Sequence, residues 1–242
     1  MKVCLIVVDA LNYEHTPRLP GFWLYECKAL ANNTEPSLAT ILTGLPPEKH
    51  GIVHTGDAGN DVKLRSVLKP IPNSFIASPA VIFHPFFTYS TTAKYVEEVI
   101  LEADKYVDKV DFMLLHIMDV HDYRDVNRGL KYYEGFKLIS NVALEWRQPS
   151  RLPRTQETLI QTTRDANLLI AKYKGAVERV FETLIPFVSK LEGKVIITAD
   201  HGEDLTFFAH DGLDVYDVPL ITNFKLPERV YTHLDVARLW KS

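Results

Sequence analysis

Three apolar runs in this chain end in side chains that can hold a metal or carry a proton. The first, "VCLIVV", ends at Asp9. The second, "FMLLHIM", contains His116 and runs into Asp119 and His121. The third, "VIITA", ends at Asp200 and His201, with Gly202 behind them. Carboxylate oxygens and imidazole nitrogens are common donors to divalent cations, and imidazole also titrates near neutral pH. Taken singly, each has an ordinary explanation. An Asp after a strand is usually a turn residue or a helix cap. A lone His, such as His15, His50, His54, His84 or His233, is by default a packed or exposed residue. His116 lies inside the strand pattern and reads as a residue that packs or orients a neighbour. Three such strand ends in one chain shift the balance toward a shared site, because open α/β sheets bind ligands beyond the carboxyl ends of their strands.

The elements that must position these groups alternate along the chain. "KVCLIVVDA", "DFMLLHIMDV" and "GKVIITADHGE" read as strands, the first buried on both faces and the second also buried. "SLATILTG" reads as a helix capped on its N-terminal side and closed near Gly44. In "TAKYVEEVILEADKYVDKV" the apolar residues Tyr95, Val96, Val99, Ile100 and Ala103 have helical spacing. A long helical segment follows from about Thr155 to Leu191. This alternation predicts an α/β fold, a sandwich around a mostly parallel sheet. Residues 1–242 read as one domain. Residues 122–154 are too long for an ordinary connection. They are net basic with aromatic residues interleaved, and read as an insertion or flap at the carboxyl end of the second strand.

Composition narrows the partners. The 242 residues include 27 basic and 31 acidic ones, for a net charge of −4, so no global charge favours a nucleic acid polymer or an anionic membrane. No apolar stretch approaches the ~20 residues needed to span a bilayer, so no membrane partner is expected. Val3–Val8 is cut short by Asp9 and reads as a strand rather than a signal segment. Cys4 and Cys27 show no metal-ligand spacing, which makes a cytoplasmic location with free thiols the expectation. The oligomeric state is not encoded in any pattern found.

Read in order, "VVDALN", "TPRL", "TEPSLATILTGLPPEKHGI", "LLHIMDVHDY", "VIITADHGED" and "AHDGLDVYDVPLI" resemble the alkaline phosphatase superfamily, in its sulfatase and phosphodiesterase (nucleotide pyrophosphatase-like) branch. The resemblance runs from Lys2 to about Leu239. It implies an alkaline phosphatase-like α/β/α sandwich with a central, mostly parallel sheet, and a metal-dependent hydrolase. The family's nucleophile precedes x-Pro at a helix start, which places Thr34 of "Thr34-Glu35-Pro36" in that role. Free amides and the helix dipole would favour an anion there. A threonine hydroxyl needs a metal to become a competent nucleophile. Without the other motifs, Thr34 would read as a helix cap. The same carry-over makes Asp9, Thr34, Asp200 and His201 the first metal site, a donor set suited to zinc or manganese. Asp119, His121 and His210 would hold a second ion or handle the leaving-group proton. The tight Asp119–His121 spacing resembles the sulfatase-type segment, so one or two ions are expected.

The resemblance also bears on the substrate. Its sulfatases convert a Cys or Ser at the nucleophile position, in a motif with a downstream arginine. This chain has Thr34 and Leu38 at those places, which favours a small anionic phosphate ester, monoester or diester. Asn32 and Asn33 are either donors to a substrate oxygen or ordinary turn residues. The basic and aromatic segment reads equally as a solvated flap or as the part that recognises the leaving group, with Arg124, Arg128 and Arg147 for charge and Tyr132, Tyr133 or Trp146 for stacking. The alternatives are a sulfatase-like hydrolase of another ester, a non-catalytic metal-binding member, and a transferase to an acceptor other than water.

Overall fold

The computed structural model describes residues 1–124, 156–205 and 212–242. Its strands are β1 (Val3–Val8), β2 (Trp23–Lys28), β3 (Ile71–Ala77), β4 (Phe87–Thr91), β5 (Phe112–Ile117), β6 (Lys194–Thr198), β7 (Asp217–Thr222) and β8 (Tyr231–Thr232). Its α-helices are α1 (Thr34–Thr43), α2 (Pro47–His50), α3 (Asn60–Val67), α4 (Val96–Asp104), α5 (Gln156–Val188) and α6 (His233–Lys241). The strands form one sheet in the order β4-β3-β5-β1-β6-β7-β2-β8. Only β7 runs against its neighbours, β6 and β2. Helices cover the sheet in an α/β/α sandwich. One group joins α1 to α2 and α6, and another joins α4 to α5.

β1 and β5 are apolar almost without interruption because both faces of both strands are buried. Their register brings distant charges together. Val7 of β1 lies level with His116 of β5 and Thr198 of β6. Two residues further on, Asp9 and Asp200 therefore leave the sheet at the same height. Asp9 remains tied to β5 by its amide, which donates to Ile117 O at 2.9 Å.

Strands β2, β3, β4, β7 and β8 were not legible as strands. β3 contains Pro72, and Asn73 has a left-handed φ of 49°, both of which disguise a strand. β2 is half-exposed and mixes charged with aromatic residues. β7 carries Pro219 in its middle, opposite Glu26. No helix among the described residues is long and apolar enough to cross a membrane. Cys4 and Cys27 are buried free thiols, and burial pushes both thiols far above their usual range.

Candidate metal centre and nucleophile

Asp9 sits where β1 ends, fully buried. The next residue, Ala10, has a φ of 62°, a conformation that a residue with a Cβ adopts only under constraint. Two bonds supply the constraint. Ala10 N donates to Asp200 Oδ1 at 3.3 Å, and Tyr173 of α5 donates its hydroxyl to Ala10 O at 2.8 Å. The turn after β1 is thus tied to Asp200 and to the long helix.

The two oxygens of Asp9 have different surroundings. Oδ2 accepts from Thr34 Oγ1 at 3.2 Å and from His116 Nε2 at 3.0 Å. Oδ1 has no hydrogen-bond partner among the described residues and lies 3.6 Å from His201 Nε2. Asp200 is divided in the same way. Its Oδ1 accepts from the His201 amide at 2.9 Å, whereas its Oδ2 has no partner among the described residues and lies 3.5 Å from His201 Nε2. His201 Nδ1–H donates to Gly202 O at 2.9 Å, so in the neutral ring Nε2 presents a lone pair. Two buried carboxylate oxygens and an imidazole lone pair then face one another. Such a group requires a shared cation, either a proton or a metal ion. One donor atom each from Asp9, His116 and Asp200 also lie within 4.8 Å of one another. The donor types and their spacing fit a divalent cation held by oxygen and nitrogen.

The titration of these groups reflects the same crowding. Burial alone would raise the pKa of Asp9, but the bond from His116 and the charges of His201 and His121 carry it well below the carboxylate range. Asp200 is pushed upward by burial and by the charge of Asp9. Burial lowers the pKa of His201, yet the two carboxylates leave it raised. His121 is opposed by burial but pushed up to about 9 by its bond to Asp122 and by the charges of Asp9 and Asp200. His121 is therefore a cation at neutral pH, and it lies close enough to the rim to feel both carboxylates.

Thr34 opens α1, but it is not the cap. The N-cap is Asn33, which makes no side-chain capping bond. The Thr34 hydroxyl instead crosses to Asp9. The first-turn amides offer an anion less than a free helix end would. Glu35 N donates to Thr55 Oγ1 at 3.1 Å and Pro36 has no N–H. What α1 contributes there is chiefly its dipole.

The remaining candidates divide. His121 Nδ1 pairs with Asp122 Oδ1 at 3.0 Å, and Asp122 Oδ2 accepts from Lys94 Nζ at 3.1 Å and Tyr95 OH at 3.3 Å. Asp119 is engaged elsewhere. Its Oδ2 accepts from Val96 N at 2.7 Å, at the start of α4, and its Oδ1 pairs with Arg179 of α5 at 3.3 Å. Asn33 donates its side-chain amide to Asn32 at 2.7 Å. Arg124 closes a 3₁₀ turn that begins at His121. Its side chain, together with Tyr132, His210 and most of the 122–154 segment, lies outside the described residues. Sequence reasoning passed over the full importance of His116 and missed Ser78, whose Oγ is 3.0 Å from His116 Nδ1. The available signal was a histidine inside an apolar run buried on both faces.

No family model and no curated protein matches this chain. Solved structures do. The C-terminal periplasmic domain of EcEptC from Escherichia coli aligns with a TM-score of 0.59 at 12% identity, over 99% of this chain and 80% of that one. The same domain is also known as a complex with zinc. A 2-O GAG sulfatase aligns with a TM-score of 0.60 at 11% identity, over 98% and 70% of the two chains. The phosphonate monoester hydrolase of Agrobacterium radiobacter aligns at 0.52 and 14% identity, over 97% and 72%. All are alkaline phosphatase superfamily proteins, and the fold of this chain is the alkaline phosphatase-like fold.

Proposed function

We propose that this chain is a divalent-metal-dependent hydrolase of small phosphate esters in which Thr34 is the nucleophile. The observation that carries the reading is the Thr34 hydroxyl, aimed at Asp9 beside two buried carboxylate oxygens that have no hydrogen-bond partner among the described residues. Asp9, Asp200, His201 and Thr34 would hold the ion, with zinc or manganese matching the donor types. A bound cation supplies the charge that favours an ionised Thr34 and offsets charge on the phosphate oxygens.

The protein groups supply the rest. Asp9 Oδ2 accepts the hydrogen bond of the Thr34 hydroxyl and so orients Oγ1, whose proton passes to solvent as the alkoxide forms. Thr34 Oγ1 attacks phosphorus in line as the bond to the departing oxygen breaks. His121, oriented by its hydrogen bond to Asp122, whose carboxylate favours the protonated ring, gives its proton to that oxygen. Water, giving a proton to the now neutral His121, then attacks phosphorus as the bond to Thr34 Oγ1 breaks, and Thr34 is reprotonated from solvent as phosphate leaves. The 122–154 segment is proposed as a flap over this rim, with Arg124 and Tyr132 recognising the leaving group. The cytoplasmic placement rests on the two free cysteines alone, since the matched EcEptC domain is periplasmic.

The test is turnover of p-nitrophenyl phosphate and bis-p-nitrophenyl phosphate by metal-loaded protein and by Thr34→Ala. Hydrolysis of either ester, abolished in the variant, supports the reading. Near-normal turnover by Thr34→Ala refutes the nucleophile. Metal binding without turnover of either ester or of nucleotide esters refutes the hydrolase and favours a binding protein. Transfer of phosphate to an added alcohol in place of water favours a transferase.

A further inference from the structure

We propose that His116 is a positioning residue for the cation site: held by Ser78, it donates to Asp9 Oδ2 and thereby keeps Asp9 Oδ1 turned toward His201 and Asp200. The inference rests on the reading of Asp9, Asp200 and His201 as the groups that hold the ion.

The argument is one of proton placement. An ionised carboxylate can only accept a hydrogen bond. The 3.0 Å contact between His116 and Asp9 therefore places a hydrogen on Nε2. In a neutral ring Nδ1 is bare and accepts from the Ser78 hydroxyl, 3.0 Å away; in an imidazolium Nδ1–H donates to Ser78 Oγ, and in both cases Ser78 holds Nδ1. Ser78 Oγ in turn accepts from Ala80 N at 3.1 Å, which leaves its single hydrogen for the ring. The chain of bonds runs from Ala80 N–H to Ser78, to His116, to Asp9. Ser78, His116 and Asp9 are all fully buried, so water does not compete for any of these bonds.

The path crosses three adjacent strands. Ser78 follows β3, His116 is in β5 and Asp9 follows β1, and the sheet order places these strands side by side. Grouped by distance alone, His116 could pass for a metal ligand with Asp9 and Asp200. The bonding pattern argues otherwise. Nε2 gives its hydrogen to Asp9 and so has no lone pair for a cation, while Nδ1 is turned to Ser78. Outer residues of this kind orient a ligating carboxylate, and losing one typically costs 10–100-fold in metal affinity.

The experiment measures zinc affinity by competition with a chromophoric chelator for wild type, His116→Gln, His116→Ala, Ser78→Ala, Asp9→Asn and Asp200→Asn. Circular dichroism and urea unfolding of the metal-free proteins check the fold. The side-chain amide of Gln can place an N–H near the position of Nε2, but it is a poor zinc ligand. Expected are a loss of about 10–100-fold for His116→Ala, affinity within about threefold of wild type for His116→Gln, and a loss of roughly three- to tenfold for Ser78→Ala. The proposal is overturned if His116→Gln loses as much as His116→Ala, which would make His116 a ligand, or if His116→Ala binds zinc like wild type. Should His116→Ala not fold, His116→Gln and Ser78→Ala decide: retention in the first with a loss in the second supports positioning, and any other pair refutes it. Unchanged affinity in both Asp9→Asn and Asp200→Asn would instead overturn the metal reading. Loss in those two with no change at His116 overturns positioning alone.

Discussion

Asp200→Asn should reverse its effect on stability according to whether metal is present. In the wild type, Asp200 Oδ1 accepts from the amides of His201 and Ala10, whereas Oδ2 is buried without a partner among the described residues. Asparagine keeps an oxygen for both amides and places an NH₂ group beside the Asp9 carboxylate. It also removes one of two carboxyls whose donor atoms lie within 4.8 Å and which, without metal, must either share a proton or repel. Two unit charges at that separation repel by roughly 3 kcal/mol at an effective dielectric of 20. The two histidines offset part of this. In chelator the variant should therefore be more stable by about 1–2 kcal/mol, or roughly 2–8 °C in Tm for a chain of this size. With zinc the order should reverse. At a zinc concentration of 100 Kd the wild type gains about 2.7 kcal/mol, and the variant, lacking a charged ligand, should lose most of that gain. Equilibrium urea unfolding of both proteins, in chelator and in excess zinc, gives the four numbers required. An equal zinc increment in the two proteins would refute the assignment of Asp200 to the cation. A variant less stable than wild type in chelator would refute the charge argument.

Other perturbations separate structural from functional roles. Asp119→Ala should destabilise by about 2–3 kcal/mol in urea unfolding, because it strips the acceptor from Val96 N and the partner from Arg179. Its zinc affinity should be unchanged, and a clear loss would return Asp119 to the metal site. Tyr173→Phe should cost roughly 2 kcal/mol in the same measurement, since the hydroxyl serves Ala10 O and Asn12 N; a neutral variant would show that the strained turn at Ala10 holds itself. His233 is fully buried beside Ala199 O, and burial depresses its pKa from 6.5 to about 4. The unfolded chain takes up this proton below about pH 6.5 while the folded one does not until about pH 4. The contribution of His233 is thus fully present above pH 6.5 and is lost as pH falls toward 4, reaching roughly 2 kcal/mol by pH 5. His233→Gln should lose less stability than wild type between pH 7.5 and 5, and parallel losses would contradict the buried neutral ring.

How much was legible in the sequence varied with the kind of signal. β1, β5 and β6 are apolar runs that stop at charged residues, and the run lengths show on the page. α1 shows equally well, because Gly44 closes it in the left-handed conformation at φ 74°. The poorly legible strands are those whose pattern is broken, as by Pro72 and Asn73 in β3. Within the site, Asp9, Asp200 and His201 stood out as strand endings. Asp119 stood out for the same reason, yet its oxygens bind the start of α4 and Arg179. Its type and position resemble those of the other strand-end carboxylates, and only the packing of α4 and α5 shows the difference. His116 read as a residue that packs or orients a neighbour, and the structure identifies that neighbour as Asp9, which no pattern along the chain could name.

By itself the sequence determined the local elements and the short list of groups able to do chemistry, because burial period, glycine and proline act within a few residues of where they are read. The tertiary structure alone decided which of those groups meet. Register between β1, β5 and β6 brings Asp9 to the height of Asp200, across 190 residues of intervening chain. The direction of single hydrogen bonds then bears on the roles: Thr34 reaches across to Asp9 instead of capping its own helix, and in the proposal above His116 donates a hydrogen bond to Asp9 instead of offering a lone pair to an ion. Bonds of this kind depend on how neighbouring strands and helices are placed, and no spacing along one strand encodes that placement.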